Sequence, residues 1–101
     1  MKIIKCLSEL IGDELDDAKG YAEKALRYRE EWPNVSRLFA ALSQEEMGHM
    51  EKLHDAVTTV IKEYRDRDGD PPEPMMAVYN YLHEKHIEKA AEVRVLQNMY
   101  K

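Results

Sequence analysis

At 101 residues and a net charge of −5, the chain is long enough for one hydrophobic core and short enough that association would help it bury more surface. Hydrophobic residues make up 44% and charged residues 35%, with only 4 Gly and 4 Pro, the balance expected of a soluble and highly helical protein. The acidic balance and the lack of any Lys/Arg cluster exclude general affinity for a nucleic-acid backbone, and no apolar run is long enough to cross a bilayer.

The segment from Met1 to Glu9 has neither an uninterrupted apolar stretch nor a small-residue cleavage site, so a cytoplasmic location is expected. Cys6 is the sole cysteine, which excludes an internal disulfide. Beside Ile3, Leu7 and Leu10 it reads as a small core hydrophobe. A first helix is predicted over residues 3–31, because Ile3, Leu7, Leu10, Ala18, Tyr21, Ala25 and Tyr28 recur at helical spacing. Glu14 falls in the centre of that stripe and Asp17 at its edge. Trp32-Pro33-Asn34 then ends the helix, since proline disfavours a helical Trp32 yet suits the first turn of a following helix. The two helices flanking this corner must run antiparallel.

The second helix, residues 34–65, carries a stripe of Val35, Phe39, Leu42, Leu53, Val57, Val60 and Tyr64. Glu46 lies in the middle of it, with His49 alongside. A carboxylate and an imidazole in an apolar seam are costly unless something pairs with them. At i, i+3 they share one helix face and can grip the same cation. Glu14 is 18 residues before Trp32 and Glu46 is 13 after Pro33. That offset, about 7 Å at the helical rise, is small enough for long side chains to absorb, so Glu14, Glu46 and His49 are expected to meet.

The second connection, from Arg65 to Pro74, holds a glycine and three prolines that cannot continue a helix. Its Asp66-x-Asp68-Gly69-Asp70 run has the acids of a calcium loop, but the glycine comes too early. Ala77 stands where that loop requires a bidentate glutamate, and the segment reads as a solvated turn. A third helix, residues 75–100, presents Met75, Tyr79, Leu82, Ala90, Val93, Leu96 and Tyr100 on one stripe. His86 is at its centre and His83 at its margin, while Glu84, Glu88 and Glu92 read as surface charge. Counted from the second connection, His86 is nearer His54 than His49. With no internal repeat, the chain reads as one all-α domain over 1–101, an antiparallel bundle of three long helices.

Glu14, Glu46 and His49 are the candidate metal ligands. Their oxygen and nitrogen donors suit iron or manganese. Asp17 is a further candidate, as a ligand or as a partner orienting His49, its other reading being a plain exposed acid; so is His86, whose other reading is a satisfied core histidine. Without a cation, two facing glutamates must share a proton. The alternative is therefore a metal-free polar network that sets helix register. Tyr21 could hydrogen-bond a carboxylate of the site or serve as amphipathic core.

Glu14 with Tyr21 seven residues later, followed about thirty residues on by Glu45-Glu46-Met47-Gly48-His49, resembles the first helix pair of rubrerythrins and other ferritin-like proteins over residues 8–60. In that family two such pairs form a four-helix bundle around two irons, held by a Glu from each of two helices and a Glu-x-x-His from each of the others. The third helix here carries no Glu-x-x-His, the second connection is short, and no rubredoxin-type cysteine pair is present. Two copies related by a two-fold axis would supply two each of Glu14, Glu46 and His49, the logic of small ferritin-like proteins packaged in encapsulin shells.

The resemblance thus implies a non-haem di-iron protein, with manganese as the other metal, oxidising Fe(II) with oxygen or peroxide. Its two metals would be shared between the chains of a homodimer or larger even-numbered oligomer, with an encapsulating shell protein as a further partner. The second arrangement completes the site within one chain through His86 and Glu88 or Glu92. A different class is a non-enzymatic helical interaction module whose buried polar residues specify oligomer pairing.

Overall fold

Residues four and three apart alternate along the buried side of the first helix, α1 (Lys2–Arg27): Ile4, Ser8, Ile11, Leu15, Ala18, Ala22 and Ala25. This is the spacing that keeps one seam facing a neighbouring helix. The second helix, α2 (Pro33–Asp68), answers with Ser36, Ser43, Met47, Val57 and Ile61. The third, α3 (Glu73–Met99), buries only Ala90 and Val93. The computed structural model describes residues 1–100; Lys101, the last residue of the expected domain, lies outside them. Among the described residues the chain is an all-α bundle of three helices, measuring 56 × 18 × 18 Å, and no helix is long and apolar enough to cross a membrane.

The buried rows sit one residue away from part of the expected stripes. Ile3, Leu10 and Val35 are exposed, whereas Ile4, Ile11 and Leu15 are in the core. Both α1 and α2 carry two adjacent apolar rows, and periodicity alone cannot rank them. The row rich in Ala and Ser is the one that permits close approach of the helices. Cys6 falls on the outer side and is exposed, contrary to its expected place in the core.

The helix ends also differ from those expected. α1 stops at Arg27, four residues early, and residues 28–31 form a turn. The Trp32 amide donates to the Tyr28 carbonyl at 2.9 Å and the Ser36 amide to the Trp32 carbonyl at 2.8 Å, with Pro33 in the first turn of α2. At the far end α2 runs to Asp68, beyond the expected residue 65, where Gly69 with φ 80° leaves the helix. An L side chain rarely adopts that backbone conformation.

The core joins Ile4, Ile11, Leu15, Ala18, Met47, Val57, Ile61, Ala90 and Val93; each large aliphatic side chain there contributes about 1.5–3 kcal/mol by leaving water. Two hydroxyls fix how α2 slides on α1. Ser36 donates to the Ala25 carbonyl at 2.6 Å and Ser43 to the Ala18 carbonyl at 2.7 Å. Both pairs obey one antiparallel register. α3 then returns beside α1 and parallel to it, tied by Lys89 to Asp16 at 2.9 Å and by Glu92 to Lys19 at 3.6 Å.

Candidate metal centre

The register set by the two serines decides what stands opposite Glu14. Glu14 lies 13 residues before Arg27 and Glu46 13 residues after Pro33, so the two acids are level. The expected offset of a helical turn is absent because α1 ends before the Trp32 corner. One ligand atom each from Glu14, Glu46 and His49 lies within 4.8 Å of the others. Nδ1 of His49 is 3.6 Å from Oε2 of Glu14 and 3.8 Å from Oε1 of Glu46.

Burial differs across the three. The Glu46 and Glu14 side chains are 18% and 25% exposed, and that of His49 is 54% exposed. His49 therefore stands at the mouth of the site, further out than its expected place beside the apolar stripe. Oε2 of Glu14 is fully buried and has no hydrogen-bond partner. Such an atom is expensive to leave alone.

The Glu46 carboxyl titrates above its ordinary value. The first cause is its hydrogen bond with Glu14, followed by burial and by repulsion from the Glu14 charge, with His49 pulling the other way. Two carboxylates this close cannot both ionise cheaply. A proton held between the two carboxyls relieves that repulsion. A cation between them would serve both oxygens without a proton, and the set of two carboxylates and one imidazole fits iron or manganese. Three donors leave open positions on either metal.

The remaining candidates stand elsewhere. Asp17 is exposed and is not in the group that could share an ion. It sits one helical step off the row of Glu14, on the solvent side. His86 lines a separate cavity of about 350 Å³ with Ile11, Met50 and His54, on the α3 side of the helix pair. Glu88 pairs with Lys85 at 3.7 Å and Glu92 with Lys19, so α3 brings neither to the centre. Tyr21 stacks on Phe39 with ring centroids 6.2 Å apart, which is the packing reading of that residue.

Ser36 and Ser43 are the positioning residues that pattern reading missed. Their signal was a pair of small polar residues one heptad apart, facing the Ala18, Ala22 and Ala25 run of α1. Compared with known proteins, the chain matches no protein family model, no curated protein and no solved structure.

Proposed function

We propose that Glu14, Glu46 and His49 form half of a non-haem di-metal centre for iron or manganese, and that the protein oxidises Fe(II) with oxygen or peroxide. The observation that carries this reading is the buried, unpartnered Oε2 of Glu14 set within 4.8 Å of a second carboxylate and an imidazole. The bound metal would supply redox change between its divalent and trivalent states. Glu14 and Glu46 would hold it as hard, negative donors, Glu46 giving up the proton that otherwise lies between them. Neutral His49 would present a ring nitrogen from the mouth of the site. Met47, buried beside Glu46, keeps water from the inner side.

One chain offers three donors, and the row around them is only half covered. Leu7, Tyr21, Phe39, Leu42 and Leu53 are partly exposed and Leu10 is exposed, on the side of the α1–α2 pair away from α3. A second copy laid against this row about a two-fold axis would cover it and bring a second Glu14, Glu46 and His49 to the same place. The protein is accordingly proposed to be a homodimer or a larger even-numbered oligomer, working in the cytoplasm.

Elemental analysis of protein purified from iron-replete cells tests this reading. It should find about one Fe or Mn per chain, the stoichiometry of two metals shared by two chains. Absence of bound metal would overturn it. The protonated carboxylate pair would then act as a pairing specifier in a helical interaction module, a role suited to its place on a half-covered face.

A further inference from the structure

Three of the four histidines of the chain gather away from the metal centre, where α3 meets α2. His54 of α2 and His83 of α3 stack at 5.0 Å between ring centroids, with their planes 21° apart. Tyr79 stacks on the other face of the series, 5.7 Å from His83. His86, one turn further along α3, lines the cavity of about 350 Å³ that also borders His54. The seam is thus filled by rings where a helical bundle ordinarily places aliphatic side chains.

This matters because of where α3 is otherwise held. Its buried residues, Ala90 and Val93, its ion pairs from Lys89 and Glu92 to α1, and the Gln97 bond to Ser43 all belong to its C-terminal half. The N-terminal half buries no residue fully. It rests on half-buried Met75, Met76, Tyr79 and Leu82, on a contact from the Met1 amino group to Sδ of Met75 at 3.1 Å, and on the imidazoles that join it to α2. It also adjoins the Gly69–Pro72 connection, whose residues make no helix.

We propose that the His54–His83–His86 cluster is a pH-sensitive latch: neutral and stacked, it holds the N-terminal half of α3 against α2, and its protonation releases that half. Tyr79 of α3 faces His83, and the cavity beside His54 and His86 brings three charged groups to the cluster. From α2 come Glu51 and Asp55 on the cavity wall, from α3 Arg94, while α1 contributes uncharged Ile11 and Gly12, beside Nε2 of His86. Glu51 and Asp55 favour charged imidazoles and Arg94 opposes them. Burial of His86, and then repulsion from His83 and His54, nonetheless lowers its pKa below 6.5.

A lowered pKa means that the latched form binds fewer protons than the released one. Latching is therefore fully favoured above 6.5, the ordinary value, and is lost as pH falls through the lowered one.

Amide hydrogen exchange on the 101-residue chain tests the latch, with rates corrected for intrinsic pH dependence. Between about pH 7.5 and about pH 5, protection over residues 73–86 should fall about tenfold or more. Protection in α1 and over residues 87–99 should hold. In the triple variant His54→Gln, His83→Gln, His86→Gln the drop should vanish. A pH-independent wild type, a loss spread evenly over all three helices, or a drop that persists in the variant would each overturn the proposal. Should the variant not fold, titration of the wild-type imidazole resonances decides: His86 must titrate below 6.5 together with the loss of protection, and an independent titration counts against the latch.

Discussion

The Ser43 hydroxyl donates to the Ala18 carbonyl at 2.7 Å and accepts from Nε2 of Gln97 at 2.9 Å, so one side chain ties all three helices at a single level. Glu46 is three residues beyond Ser43 and Glu14 four residues before Ala18. The serine thereby sets the height at which the two carboxylates meet. Ser43→Ala should cost about 1 kcal/mol, the usual net worth of such a bond, read as a lower denaturant midpoint with unchanged slope. Ser43→Leu should cost about 1–3 kcal/mol through overpacking and lower metal content as well, because the helices must part where the site is built. Full metal loading in Ser43→Leu would show that register does not govern the site.

The three helices and their connections were legible in the sequence because spacing and proline report directly on backbone and face. The Glu14, Glu46 and His49 group was legible for a related reason: a charge inside an apolar row has few uses. The end of α1 was not. Tyr28, Arg29, Glu30 and Glu31 are acceptable helix residues, so nothing local stops the helix at Arg27. The stop comes from how the chain must turn for Ser36 to reach Ala25. The choice between two apolar rows was hidden likewise, since it rests on which row lets backbones approach. His83 read as a marginal residue of α3 because a stack between two helices has no signature in either one.

The shared proton of Glu46 makes a prediction about pH. Its folded-state pKa is raised above 4.5, so in the metal-free protein the folded form binds this proton more tightly than the unfolded chain. Stability therefore falls as pH rises from 4.5 through the raised value. Glu46→Gln keeps a hydrogen-bond donor beside the Glu14 carboxylate without any ionisation. It should raise the melting temperature of the metal-free protein at neutral pH while abolishing tight metal binding. A destabilised Glu46→Gln protein would mean that the carboxylate pair is not strained.

Assembly can be separated from folding by choosing a residue that the single chain leaves open. Leu10 is 42% exposed and lies one turn from Glu14. Leu10→Glu should leave helicity and melting of the isolated chain nearly unchanged, since exposed substitutions usually shift stability by less than about 0.5 kcal/mol. It should nevertheless turn a dimer into a monomer by light scattering, with metal content falling in step. A wild-type protein that scatters as a stable monomer and holds two metals would overturn the shared centre and return attention to α3.

Activity separates Glu14 from an ordinary acid. Adding Fe(II) to metal-free protein in air should produce ferric absorbance faster than buffer alone, with oxygen as the electron acceptor. Glu14→Ala should be slower by about 10-fold or more, because the remaining donors carry too little negative charge to favour the ferric product. Glu84→Ala is the control, since Glu84 is exposed on α3 and outside the ligand group, and it should match the wild type. The melting curve of metal-free Glu14→Ala is measured alongside, so that a loss of rate with the curve preserved cannot be assigned to unfolding. Wild-type rates in Glu14→Ala, with loss in Glu84→Ala, would show that the helix faces are misassigned. Bound metal with no rate above buffer in any variant would make the centre a structural one.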